Sequence, residues 1–214
     1  LPTIAKRSNY LFVKRHSTSI RVAEDGPIFY FPLHVEPEVS LLRLAPEFSN
    51  TMEAIVWVSK ALPVGSFLAV KEQPNAFGVR GRLFYERLAV IHNIVLVPPE
   101  DDSWDWLKVA TAVIAFTGTV GFEAVHFEKP VISLGQHQLI NRLPTVYVVS
   151  NYLETKAAID RILDRTNRRH LFAKSRIALH RAQIETSFEM PEFALSRKKI
   201  QLSKETLEVG AKTL

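Results

Sequence analysis

Six short apolar runs punctuate the chain between residues 27 and 150: IFYFPL (28–33), SFLAV (66–70), IVLV (94–97), TAVIAF (111–116), VISL (131–134) and VYVV (146–149). Each is too short for a helix of its own, and none shows the strict alternation of a strand with one wet face. Each therefore reads as a strand covered on both sides. Parallel strands cannot be joined by tight turns and need crossovers of a dozen residues or more, which helices supply. The pattern predicts an α/β fold, a doubly wound parallel sheet of about six strands.

The segments between the runs carry helical signals. Asn50 followed by Glu53 makes a capping box that opens a helix through AIVWVSKAL, closed by Pro63 and Gly65. GRLFYERLAV (81–90) and SWDWLKVA (103–110) supply two short helices, the second capped by Ser103. After the last strand ETKAAIDRILD is amphipathic, and a long polar helix is expected over 167–188. Residues 190–214 show no core pattern.

A chain of 214 residues with 47% hydrophobic content suffices for one full core. No apolar run approaches the roughly 20 residues that span a bilayer, and the first residues lack a signal core, so a soluble, cytoplasmic protein is expected. The sequence has no cysteine, which excludes a thiol nucleophile, a disulfide framework and a Cys-ligated metal. The net charge of +5 gathers toward the ends, at Lys6, Arg7, Lys14, Arg15 and Arg21 and again at Arg165, Arg168, Arg169, Lys174, Arg176 and Arg181. Such clusters attract phosphates or an anionic membrane surface, or simply form solvated helix faces. No aromatic or glycine pattern of an RNA-binding module is interleaved with them, so no nucleic-acid partner is expected.

In a doubly wound sheet ligands bind outside the carboxyl ends of the strands, so the loops after strands one to four hold the candidate site. The first reads HVEPE. Along an extended segment His34, Glu36 and Glu38 fall on one side, where they would suit a sugar, a proton or a metal; the plain alternative is carboxylates in water and a backbone-bonded histidine. The second reads KEQPN, in which Lys71 and Gln73 suit an anion and Pro74 stiffens the loop; the alternative is a surface pair of Lys71 with Glu72 or Glu38. The third, VPPEDDSW, turns stiffly at Pro98 and Pro99 and would lie near a base, or it merely caps a helix through Asp102 or Ser103.

The fourth loop is the most informative. Thr117, Gly118 and Thr119 form a tight turn into a helix over about 120–127, whose unpaired N–H groups face back into the turn and suit a phosphate. Gly121 allows close backbone approach, and Glu123 stands one turn in, where it can accept from a ribose diol or complement the helix dipole. Neither GxGxxG nor GxxxxGK[ST] is present, which disfavours an NAD site and an ATPase.

Four fragments in this order, FPLHVEPE, VKEQP, TGTVGFEA and EKPVISLG, resemble the nucleotide-binding half of GT-B glycosyltransferases. More narrowly, they are similar to the capsule polysaccharide biosynthesis proteins, a group that includes bacterial Kdo transferases. The likeness covers residues 27–150, and GFEA-x4-KP is its most specific part. It implies one Rossmann-like half of a GT-B fold over 27–189, with residues 1–26 as a linker or remnant of an N-terminal domain and 190–214 as a tail. An upstream portion is then expected, since the chain begins without Met.

The family's second-strand motif is of a Lys-Glu-His-Pro type, whose His and Pro lie by the donor phosphate. Here Gln73 and Pro74 stand at those places; an amide can donate to phosphate oxygen but carries no charge and transfers no proton. After the last motif the chain continues QHQLINRLP, where the Kdo transferases have an aromatic, glycine-rich segment. The resemblance implies a metal-independent transferase that needs no cofactor and takes a nucleotide-activated sugar, CMP-linked among the nearer types. A glycan or lipid-linked glycan would accept the sugar, with peripheral association at the inner face of the membrane through the basic patches. On this reading Lys71, Gln73, Pro74, Pro98, Thr117, Gly118, Thr119 and Gly121 hold the nucleotide, Glu123 the ribose, and His34, Glu36 and Glu38 face the sugar. Epimerases of the UDP-GlcNAc 2-epimerase type share the GT-B fold, and a module that keeps the fold without the chemistry is the non-enzymatic alternative.

Overall fold

The computed structural model describes residues 2–35, 50–164 and 169–186. Helix α1 (Pro2–His16) and a 3-10 turn (Ile20–Glu24) precede β1 (Ile28–Pro32). There follow α2 (Thr51–Ala61), β2 (Phe67–Lys71), α3 (Arg82–Ala89), β3 (Ile94–Leu96), α4 (Ser103–Val109) and β4 (Ala112–Ala115). The chain continues through α5 (Val120–His126), β5 (Val131–Ser133), a 3-10 turn (Leu139–Arg142), β6 (Val146–Val148), α6 (Tyr152–Leu163) and α7 (Arg169–Thr186). All six strands are parallel, in the order β3-β2-β1-β4-β5-β6. Three of the apolar runs stay in the sheet one residue past their strands, because Leu33, Val97 and Leu134 still donate to Lys71, Val70 and Ala115 at 2.8, 3.0 and 2.9 Å.

Alternate residues of each strand feed two cores. Phe29, Phe31, Leu68, Val70, Ile114 and Ile132 pack with Ile55 and Val58 of α2, Leu88 of α3 and Ile159 of α6. Ile28, Tyr30, Ala69, Val95, Val113 and Val131 meet Trp106 and Leu107 of α4 and Ala124 of α5 on the other face. Burying each large apolar side chain contributes about 1.5–3 kcal/mol, so the two faces together commit the chain to this sheet.

Local signals set the helix starts. Asn50 accepts from the Glu53 amide at 3.4 Å, as the capping box requires. The cap of α4 is Asp102, which accepts from Trp104 N at 2.7 Å; Ser103 is instead the first residue of that helix. Among the described residues no helix is long and apolar enough to cross a membrane.

The stretch that reads as a linker or remnant is docked on the sheet edge. Phe12 and Val13 of α1 enter the first core, Thr18 N donates to Leu96 O at 3.0 Å, and Ser17 bridges Leu96 in parallel sense on the outer side of β3. Residues 190–214 lie outside the described residues.

Candidate functional site

From β1 the chain moves to β2 and β3 on one side, and from β4 to β5 and β6 on the other. The loops leaving the carboxyl ends of β1 and β4 therefore diverge and leave a crevice between them. A pocket of ≈ 480 Å³ occupies it, lined by His34, Val35, Gln73, Thr117, Gly118 and Thr119, with Leu33 and Val120 among its apolar walls.

The turn after β4 is built around two demands. Gly118 has φ +87°, a region that costs other residues roughly 1–2 kcal/mol, and a Cβ there would lie 2.9 Å from Cε1 of His34. The imidazole of the β1 loop is thus laid directly on the glycine of the β4 loop. Thr117 is fully buried, and its hydroxyl has no hydrogen-bond partner among the described residues. A desolvated, unpaired hydroxyl costs about 1–3 kcal/mol, and the residue that carries it is among those lining the pocket. The strand end behind it is braced from the β5 loop: Gln138 Nε2 donates to the Phe116 carbonyl and to Ser133 Oγ at 2.9 Å.

Behind Gln73, on the β2 side, lies a buried charged network that does not itself line the pocket. Arg80 Nη1 donates to both carboxylate oxygens of Glu72, at 2.8 and 2.7 Å, and both side chains are almost wholly buried. Glu72 also accepts from Tyr85 Oη at 2.9 Å and from the Gln73 amide at 2.8 Å. Burial pushes the Glu72 carboxyl up, against the pull of Arg80, the Gln73 amide and Tyr85. Burial, followed by the adjacent Glu72, raises the Tyr85 phenol in turn. Arg80 Nη2 reaches across to the carbonyl of His34.

Lys71 ends β2 and Glu72 follows it, each side chain bonded to other partners, so the alternative pair between them does not form. Lys71 Nζ donates to Asp101 O at 2.7 Å and reaches Pro98 O at 3.5 Å, bracing the loop after β3. Burial lowers its pKa, opposed by the charges of Asp101, Asp102 and Glu100. Asp101 in turn accepts from the Trp106 indole at 2.8 Å.

Of the residues singled out in the sequence, His34, Gln73, Thr117, Gly118 and Thr119 meet around the pocket, whereas Lys71, Pro74, Pro98, Gly121 and Glu123 do not line it. Glu36 and Glu38 lie outside the described residues. The close approach at Gly121 is to a neighbouring side chain: a Cβ there would sit 2.3 Å from Cδ1 of Ile140. Glu123 stands in the first turn of α5, its amide donating to Thr119 O at 3.0 Å, and its charge adds to the effect of burial in raising the Tyr30 phenol. Among the described residues no group of three or more His, Asp or Glu side chains is placed to hold a metal ion.

The sequence matches no family model and no curated protein. Solved structures do share its fold. MnaA of S. aureus, solved with UDP, is 19% identical with a TM-score of 0.52 over 82% of this chain and 50% of its own. A Listeria monocytogenes protein assigned as a UDP-N-acetylglucosamine 2-epimerase is 15% identical, with a TM-score of 0.53 over 81% of this chain and 50% of its own. KpsC of Thermosulfurimonas dismutans, a beta Kdo 2,7 transferase, is 18% identical at a TM-score of 0.48, over 69% and 55%. The chain spans about half the length of the structures it matches. Its α/β sheet is thus the Rossmann-like half of a GT-B type of architecture.

The sequence did not point to Arg80, Tyr85 or Asn9, whose two side-chain bonds hold the carbonyls of Phe77 and Arg80 at 2.8 and 2.9 Å. A signal for Arg80 was present: Glu72 follows an apolar strand directly, and a carboxylate placed there needs a buried cation.

Proposed function

We propose that the chain is the nucleotide-sugar-binding half of a GT-B glycosyltransferase, one that works without a metal and serves capsule or other surface polysaccharide synthesis. The observation that carries this reading is the buried, unpartnered hydroxyl of Thr117 at the wall of the pocket between β1 and β4, beside the Gly118 turn. Thr117, Thr119 and Gln73 would bond the oxygens of the nucleotide phosphate, and His34 would stand between that phosphate and the transferred sugar. As the glycosidic bond breaks, negative charge grows on the leaving phosphate. Donors already aimed at it bind it more tightly in the transition state than in the ground state. Gln73 can take part as a neutral donor only. The acceptor glycan would come from a second domain.

The reading is tested by isothermal titration of CMP and UDP in the presence of EDTA. Binding heat for at least one of them is expected; strict dependence on Mg²⁺ or Mn²⁺, or binding of NAD in their place, would overturn it. The epimerase reading draws on the matches to the UDP-bound MnaA and to the Listeria protein. Sugar epimerised by the full-length protein without an acceptor would favour it over transfer.

A further inference from the structure

We infer that Arg80, which does not line the pocket, is its principal positioning residue: one guanidinium sets the loops that present His34 and Gln73 to the ligand. The inference rests on reading the pocket as a nucleotide site. Among the described residues the last ladder bond between β1 and β2 is Leu33 N to Lys71 O. Past that bond the two loops are tied through Arg80, whose Nη2 holds the His34 carbonyl while Nη1 holds the Glu72 carboxylate that accepts the Gln73 amide. The orientation of the guanidinium is itself fixed at both ends. Asn9 of α1 bonds the carbonyls of Phe77 and Arg80, which pins the turn from which the side chain departs. Tyr85 Oη donates to Glu72 Oε2, the oxygen that also accepts from Arg80 Nη1.

A buried ion pair often adds little net stability over apolar residues of the same shape, so its use here calls for another role. The planar fork of arginine presents its donors in directions set by its own geometry, toward the carboxylate and the carbonyl together, whereas a lysine ammonium is a compact point charge with rotatable donors. Because Glu72 neutralises it, Arg80 acts on the pocket through geometry and not as a phosphate-attracting charge. The geometry would reach a ligand through two backbones: His34 lies on Gly118, and Gln73 also lines the pocket.

The test compares wild type with Arg80→Lys and with the paired change Arg80→Met/Glu72→Leu, which removes both charges and strands neither. Asn9→Ala serves as a third variant at the far end of the chain of contacts. CMP and UDP affinities are measured by titration at a temperature where each protein is folded, and His34 ring signals are followed by NMR without ligand. Arg80→Lys and the pair are expected to bind at least about tenfold more weakly with displaced His34 signals, and Asn9→Ala to lose about threefold. Folded variants with wild-type affinity and unmoved His34 signals would overturn the inference. If the wild type binds neither nucleotide, the proposed function fails instead; the His34 signals still decide whether Arg80 sets the loop.

Discussion

The network behind Gln73, which backs one wall of the pocket, and the β4 wall are built on opposite principles. On the β2 side every charge is answered inside the protein, with Glu72 saturated by Arg80, Tyr85 and the Gln73 amide, and Lys71 held by two carbonyls. On the β4 side the groups are neutral, and the buried hydroxyl of Thr117 has no hydrogen-bond partner among the described residues. A saturated network is rigid and has little capacity left for a ligand; an unsatisfied donor costs stability until something bonds it. On the function proposed above, the first wall would give shape and the second affinity.

The comparison breaks most visibly at Glu72. Glu72→Leu alone would leave Arg80 buried without a counter-charge, which is expected to cost about 3–5 kcal/mol of unfolding free energy in urea titrations. A loss below 1 kcal/mol would mean that water reaches the guanidinium and that the wall is not closed.

Thr117→Val asks the opposite question, because it removes the unpaired hydroxyl at nearly constant shape. Stability should stay level or rise slightly, while nucleotide affinity falls by about 1.5–3 kcal/mol, the range for a hydrogen bond to a charged group. Lost stability with unchanged affinity would reverse the roles assigned to the two walls.

Gly118→Ala acts on the seam between the walls. The φ of +87° costs alanine about 1–2 kcal/mol, read as a lower melting temperature, and the new methyl displaces His34. Unchanged affinity in that variant would show that the imidazole can shift without consequence for the ligand.

The smallest effect is expected at Glu123, which does not line the pocket. Glu123→Gln should cost on the order of 0.3–1 kcal/mol of stability as a helix-dipole charge and leave nucleotide affinity nearly intact. An affinity loss of about 1.5–3 kcal/mol would restore it as a ribose ligand and extend the site toward Tyr30.

What could be read in the sequence follows from the length scale of each signal. The strands were legible because burial on both faces writes itself into consecutive residues such as Ile114, Ala115 and Phe116. The neighbouring loops were legible because strand order brings carboxyl ends together whatever the loops contain. Contacts between side chains were not. The partner of Glu72 is eight residues away across a turn, and no spacing rule for loops predicts it. At Gly121 a missing side chain was read as room for a ligand, when Ile140 from a later turn fills the space. Lys71 was read as an anion ligand or a surface-pair partner because its two acceptors are main-chain carbonyls, which the sequence does not distinguish from any others.

The outer side of β3 carries the pairing of Ser17 and Thr18 with Leu96. Row upon row of unpaired amides and carbonyls on a flat strand is a template for self-association, and proteins shield such edges or keep them short. Here one edge of the sheet is shielded by the segment ahead of β1, while at the other β6 is only three residues long. Trimming the chain to begin at Pro27 would therefore bare the Leu96 edge and the apolar surface under Phe12 and Val13. Such a shortened protein would be prone to clump before any question about its ligand could be asked of it.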